Sequence, residues 1–180
     1  MVVESSFLFR SVLLLGLVAS GCHGRKEQNI TLGGGTQYMN GTGNSQRAKL
    51  PDGSHIVLQP GTQVTIAKGF GTDNRDVELD GEAIFDVEGN AGKPMVVHTR
   101  NLEITVLGTW FHADAFRKNA GEQIDLLEGR LRVKKSYHSD SDNDSEILEA
   151  GDMVMINRDI DLMEKEKMNP AELDKVKAMR

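Results

Sequence analysis

Hydrophobic and polar residues alternate through the middle of the chain. Between positions 77 and 87 the odd-numbered residues are mostly apolar, whereas the even-numbered ones are mostly acidic. The same alternation recurs at positions 102–106 and 130–133. A period of two residues is typical of a β-strand with one buried face and one face in water. The pattern therefore predicts an all-β domain.

Turn-forming sequences separate these predicted strands. At five of them an apolar residue stands shortly before a glycine, and the intervals between these glycines are 21 to 28 residues. The glycines are Gly53, Gly81, Gly108, Gly129 and Gly151. Such spacing indicates a repeated β unit, although a glycine-rich β protein can produce it by chance, and glycine permits the positive φ of a sharp bend. We expect a β-solenoid or a rolled two-layer β-sandwich of about ten short strands.

The N-terminus predicts export. Residues 12–19 form an apolar stretch far shorter than the ~20 residues of a membrane-spanning helix, which is typical of a signal peptide. Ala19, Ser20 and Gly21 then precede Cys22, an order similar to a bacterial lipobox. We predict a signal peptide over residues 1–21 and a lipid anchor on Cys22 at the periplasmic side of a bacterial membrane. The alternative is an ordinary signal peptide with an incidental cysteine.

Composition sets the remaining boundaries. Residues 22–48 are rich in glycine and small polar residues, which predicts a flexible tether with a possible edge strand at 31–38. The β domain then covers residues 49–157. Residues 158–180 form a tail in which Asn169, Pro170 and Glu172 are a helix-start sequence, so a short C-terminal helix is expected.

Charge and cysteine content exclude several classes of protein. The 180 residues carry 21 basic and 27 acidic side chains, a net charge of −6. Nucleic-acid binding needs clustered basic residues, so we expect no nucleic-acid partner. A single cysteine excludes an intramolecular disulfide and a cysteine-based zinc site.

Five sequence blocks resemble the FecR domain family. In order, they occupy residues 50–54, 77–87 with 93–99, 106–111, 127–133 and 148–151. They contain the candidate structural residues of the motif, which are Gly53, Gly81, Phe85, Gly108, Phe111 and Gly129. The order and spacing of the blocks make the resemblance specific.

The resemblance implies an extracytoplasmic β domain of cell-surface signalling. Family members of the iron-citrate type receive a signal from an outer-membrane transporter and pass it to a sigma factor. They commonly have a cytoplasmic helical domain and a transmembrane helix before the FecR domain, and we find neither, so we expect a stand-alone, lipoprotein-like form. Its expected partner is another envelope protein, such as a transporter or signalling protein. No enzymatic activity and no cofactor are expected.

Trp110 is the candidate partner contact. Adjacent residues of a strand point to opposite faces, so burial of Phe111 places Trp110 on the outer face. An exposed tryptophan there could contact a protein or, as an alternative function, a glycan. The other possibility is that the C-terminal helix covers it.

Other candidate chemistry is weak. His55, His98 and His112 lack a metal-binding spacing, and we expect no metal site. Asp140, Asp142 and Asp144 have calcium-loop spacing, but the EF-hand glycine and glutamate are missing, so a solvated loop is the main expectation. Glu82 and Glu128 are expected to be ordinary turn carboxylates rather than a glycosidase pair.

Overall fold

A computed structural model describes residues 34–179, which form 13 strands and one helix. The strands are β1 (Thr36–Met39), β2 (Gln46–Lys49), β3 (His55–Leu58), β4 (Gln63–Ile66), β5 (Asp76–Asp86), β6 (Met95–His98), β7 (Leu102–Val106), β8 (Trp110–Ala115), β9 (Gly121–Glu128), β10 (Arg130–Lys135), β11 (Glu146–Glu149), β12 (Asp152–Asn157) and β13 (Leu162–Lys167). The helix is α1 (Pro170–Lys177). The predicted all-β class is confirmed.

Three strands lie outside the predicted β domain. β1 and β2 fall in the segment assigned to the tether, and β13 falls in the segment assigned to the tail. Each lies at an edge of the sheet and is mostly exposed, so backbone pairing rather than an apolar face holds it. β1 overlaps the possible edge strand expected at residues 31–38, whereas the polar composition of β2 and β13 concealed those two strands. The predicted signal peptide and Cys22 lie outside the described residues.

The strands form two layers joined through β5. The first half of β5 pairs with β4 and β6, and the second half pairs with β3 and β8. Layer 1 has the order β1-β4-β5-β6-β7-β10-β11, and layer 2 has the order β2-β3-β5-β8-β9-β12-β13. All pairings are antiparallel except that between β5 and β6. One continuous sheet is thus rolled into a two-layer all-β fold.

β5 changes layer at Gly81. Its φ is +136°, and a Cβ at this position would lie 2.6 Å from Thr62 Oγ1 and Cα. The Thr62 hydroxyl accepts a hydrogen bond from the backbone N–H of Glu82 and donates one to its carbonyl. A side chain at position 81 would clash with this contact, so the bend requires glycine.

The core lies between the layers. Phe85 and Phe111 face each other across β5 and β8, and their rings stack with centroids 4.9 Å apart at an angle of 8°. Apolar side chains of layer 1, including Leu79 and Ile104, belong to the same fully buried cluster. The two phenylalanines of the sequence motif therefore serve the fold.

Arg75 organises the loops at one end of the molecule. It is 3% exposed and donates hydrogen bonds to the side chains of Asp52 and Ser54 and to the carbonyls of Glu88 and Lys93. A buried ion pair is tolerated where further hydrogen bonds satisfy both partners. Residues 50–54, the first motif block, therefore form a turn whose side chains accept hydrogen bonds from Arg75.

The C-terminal helix begins where the sequence predicts. Asn169 caps α1 by accepting a hydrogen bond from the Glu172 N–H, and the Glu172 side chain accepts one from Asn169 N–H. This capping box follows the predicted pattern. Within α1 only Val176 is buried, so packing against the sheet holds the helix in place.

Candidate binding surface

The outer face of layer 2 carries hydrophobic, histidine and acidic side chains in one row across its strands. Residues directly opposite one another in neighbouring strands share a face. Ile84 of β5 lies opposite His112 of β8, which lies opposite Asp125 of β9 and then Met153 of β12. Hydrophobic, cationic and acidic side chains therefore follow one another across this face.

α1 covers one end of this outer face. Trp110 is 8% exposed and packs with other apolar side chains of the face and of the C-terminal segment. These side chains are Val57, Ile84, Leu127, Met168, Leu173, Val176 and Met179. Trp110 does point outward, opposite to Phe111, but it is not an open contact surface. The sequence left two alternatives for Trp110, an exposed contact residue or a residue covered by the C-terminal helix. The structure has the covered tryptophan.

His112 lies between two carboxylates at the centre of the outer face. Its Nδ1 donates to Asp125 Oδ2 at 2.7 Å and its Nε2 to Glu82 Oε1 at 3.1 Å. Burial alone would lower the pKa of His112, but the hydrogen bonds to Asp125 and Glu82 outweigh it and raise the pKa to about 9. The imidazole is therefore a cation at neutral pH, and its two N–H groups are used within the protein.

An open groove lies at the other end of the outer face. We call it the acidic groove, and its volume is about 440 Å³. It is lined by Asp114, Gly121, Glu122, Gln123, Met155, Ile156, Asn157, Ile160, Leu162 and Glu164. Three of these residues are acidic. No basic residue of the described range 34–179 lines the groove. Three others, Met155, Ile160 and Leu162, are large exposed hydrophobic residues.

Asp114 is the least satisfied carboxylate of the groove. Its Oδ1 is buried and has no hydrogen-bond partner among the described residues. Burial, and next the negative charge of Glu82, raises the pKa of Asp114. Glu82 lies directly opposite Asp114 in the β5–β8 pair, so two acidic residues are adjacent on this face.

Glu122 forms the inner wall of the groove. It is 4% exposed and accepts hydrogen bonds from the Thr99 hydroxyl and from the backbone and side-chain N–H groups of Asn101. Burial raises the pKa of Glu122 to about 7, although these hydrogen bonds act in the opposite direction. Since Thr99 and Asn101 lie between β6 and β7, Glu122 ties the groove to layer 1.

β11 is an edge strand of layer 1, and β13 is an edge strand of layer 2. Among the described strands, β11 pairs only with β10 and β13 only with β12. Lys165 of β13 reaches across to β11, donating to the Ile147 carbonyl at 3.0 Å. The cleft between these strands has a volume of about 540 Å³ and includes the Arg130–Glu149 ion pair.

The other candidate residues do not converge. His98 Nε2, in layer 1, lies 3.7 Å from Asp76 Oδ1. His55 belongs to β3 of layer 2, where it stands opposite Lys49 and Asp86 in the strand register. In the part of the chain that the structure describes, no three histidine, cysteine or acidic residues are placed to hold a metal ion. Glu82 and Glu128 belong to different rows, opposite Asp114 and Trp110.

The acidic loop over residues 139–145 is organised by Asp161, which the sequence did not reveal. Asp161 has a φ of +52° and accepts hydrogen bonds from Ser139, Tyr137 and Lys135 side chains. These hydrogen bonds, that of Ser139 foremost, lower the pKa of Asp161. The loop is therefore pinned to the β12–β13 turn. A positive φ at a non-glycine residue leaves no clear sequence pattern.

The motif glycines occupy bends. Gly53, Gly108 and Gly129 have positive φ, as Gly81 does. Gly129 lies so close to Gly108 that a Cβ added at Gly129 would be 2.9 Å from the carbonyl oxygen of Gly108.

No helix within residues 34–179 is long and apolar enough to cross a membrane.

Two solved structures share this fold. Both are of a protein from Parabacteroides distasonis ATCC 8503 that is described as a "putative anti-sigma factor". Each is 26% identical to the chain with a TM-score of 0.69, and the match covers 79% of this chain and 63% of that protein. The chain therefore corresponds to less than two thirds of its structural relative.

Comparison with known families gives a direct assignment. No curated protein matches the chain. The FecR protein family matches residues 36–132, which include β1 to β9 and most of the motif blocks. Because this match covers more than half of the 180 residues, the chain belongs to the FecR protein family.

Proposed function

We propose that this chain is a non-enzymatic signalling domain that binds another envelope protein. Membership of the FecR family, which is regulatory, supports the signalling role. Likeness to a protein described as an anti-sigma factor points the same way. Lipid on Cys22 would hold the domain at the periplasmic side of a membrane, where its partner is a transporter or a signalling protein.

The observation that carries this proposal is the open edge of β13. Five of its six residues are exposed, and within the described fold it has a strand neighbour on one side only. An edge strand presents backbone N–H and C=O groups that another chain can pair with. Its Glu and Lys side chains disfavour unspecific aggregation, and a strand added on the side that faces β11 would displace the hydrogen bond from Lys165 to the Ile147 carbonyl. Addition of a partner strand to β13 is therefore the proposed mode of binding.

Glycan binding is the weaker function. Carbohydrate recognition at Trp110 would need one face of the indole ring to be open. α1 and its neighbours cover that ring, leaving 8% of the residue exposed. A glycan could reach Trp110 only if α1 were displaced.

Crosslinking in cells tests protein binding at β13. A photoreactive amino acid would replace Glu166 of β13 in the full chain, and Leu107, which is exposed between β7 and β8, would serve as the control position. We expect the adduct of one envelope protein from position 166 and much less of it from position 107. Equal yields from both positions would contradict binding at β13.

The anchor has a separate test. Cys22→Ala should abolish lipid labelling and release the protein from membranes, because a lipidated cysteine is the proposed attachment. Cys22→Ser is a matched control for side-chain size and should behave in the same way. Unchanged membrane retention of both variants would refute the anchor while leaving protein binding open.

A further inference from the structure

The acidic groove has the composition of a peptide-binding surface. Three of the six large exposed hydrophobic residues found in the described fold line it, namely Met155, Ile160 and Leu162. Exposed hydrophobic residues that lie together and are bordered by polar residues are typical of an interaction site. Its volume of about 440 Å³ can take a few side chains.

The charges of the groove select the kind of partner. Asp114, Glu122 and Glu164 line it, and Glu82 lies directly beside Asp114. His112, the cation at the centre of this face, already donates both of its N–H groups to Glu82 and Asp125. The buried Oδ1 of Asp114 has no donor within the described residues. An ammonium or guanidinium group in the groove would pair with the carboxylate of Asp114, whose side chain must turn to expose Oδ1, and would offset the repulsion between the carboxylates.

The groove also adjoins the edge at which a strand can add. Leu162 and Glu164 both line it and both belong to β13. They lie opposite Asn157 and Met155, so they point to the outer face of layer 2. Alternate side chains of a strand added to β13 would project onto the same face.

We propose that the acidic groove recognises an extended partner segment in which lysine or arginine alternates with aliphatic residues. This inference rests on the proposed function and specifies its partner. The segment adds to β13 and continues over the groove, where its aliphatic side chains contact Leu162 and Met155 and a cationic side chain pairs with Asp114. Electrostatic complementarity of this kind increases both the specificity of binding and the rate of association.

Two peptides test this chemistry on the full chain purified in a mild detergent. One is a fluorescein-labelled ten-residue peptide of alternating valine and lysine, and the other has glutamate in place of lysine. Fluorescence anisotropy measures the affinity of each. We expect the lysine peptide to bind at least about tenfold more tightly. Equal affinities, or no binding of the lysine peptide at millimolar concentration, would overturn the proposal.

Matched variants locate the site. Asp114→Asn and Leu162→Ser should each weaken binding of the lysine peptide by about five- to tenfold, as expected for a lost ion pair or apolar contact. Glu128→Gln, on the same outer face but outside the groove, and Leu107→Ser, an exposed leucine of another turn, should leave affinity unchanged. Equal loss in all four variants would refute binding in the groove. Thermal unfolding of each variant checks that the fold is intact.

The outcomes also separate this inference from the proposed function. If position 166 crosslinks an envelope protein but the lysine peptide does not bind, protein binding stands and the partner chemistry is wrong. If the peptide binds in the groove but no envelope protein is crosslinked, the groove is real and the signalling partnership fails. Sedimentation without peptide identifies self-association, and a dimer that Leu162→Ser dissolves would replace the proposed partner with a second copy of the chain.

Discussion

His112 and Asp125 form a buried pair on the outer face of layer 2, with Nδ1 and Oδ2 2.7 Å apart. Both residues are at most 5% exposed, and they lie directly opposite each other in β8 and β9. Gln123 donates a hydrogen bond to the second oxygen of Asp125. The pair therefore places opposite charges on the neighbouring strands β8 and β9, at a position where both side chains are shielded from water.

We predict that His112→Ala destabilises the fold by about 3 kcal/mol at pH 7, because it leaves the carboxylate of Asp125 buried without a cation. Urea unfolding measures this loss. The pKa of His112 is raised from 6.5 to about 9, so its stabilising contribution is complete below about pH 6.5 and is lost as the pH rises through 9. The variant should thus differ from the parent much less at pH 10 than at pH 7.

His55→Ala is the matched control, since this histidine is exposed. It should change the free energy of unfolding by no more than about 0.5 kcal/mol at either pH. A similar loss in both variants would mean that the pair with Asp125 is not the cause.

Glu122 predicts a pH dependence of the same sign at lower pH. Its pKa is raised from 4.5 to about 7, so the folded state binds the proton more tightly than the unfolded state does. Stability should therefore fall as the pH rises from about 4.5 to about 7. Glu122→Gln keeps the acceptor for Asn101 and carries no charge, so it should flatten this part of the profile. Thermal unfolding at pH 5 and pH 8 measures the difference, and an unchanged slope in the variant would exclude Glu122 as its source.

The sequence predicted strands best where one face is buried and the other is wet. β5, β7 and β10 show this alternation and were recognised from it. β8 does not, since Trp110, Phe111 and His112 are all buried: α1 packs on the outer face near Trp110, and carboxylates enclose His112. Both faces of that strand are covered by residues distant in the chain, which a local pattern cannot show.

The binding surface was less predictable than the fold. Trp110 was correctly placed on the outer face, but the sequence left open whether α1 covers it. The acidic groove brings together Asp114, Glu122 and Glu164 from three strands, so no spacing along the chain marks it. Arg75 is similar, because its partner Asp52 is 23 residues away.

The bend of β5 yields a prediction for Gly81. We expect Gly81→Ala to destabilise the fold by about 2–4 kcal/mol, because the methyl group would meet Thr62 and the residue would keep a positive φ. Gly151→Ala is the control: its φ is also positive, at +86°, but nothing lies within 4 Å of the added Cβ. It should cost only about 1 kcal/mol. Equal losses in urea unfolding would show that the contact with Thr62 is unimportant.

The cover over Trp110 can be followed directly, because Trp110 is the only tryptophan of the chain. Val176 of α1 is 6% exposed and packs in the same cluster as Trp110. A charged residue at position 176 should undock the short helix, since burial of the valine is worth about 2 kcal/mol and a buried unpaired carboxylate is costly. We expect Val176→Asp to shift tryptophan emission to longer wavelength and to increase quenching by acrylamide. The far-ultraviolet circular dichroism of the β-sheet should persist.

Lys177→Asp, on an exposed position of the same helix, controls for the added charge and should leave emission unchanged. Unchanged emission in Val176→Asp would mean that other side chains shield the indole, and loss of the β signal would mean that α1 is required for the fold.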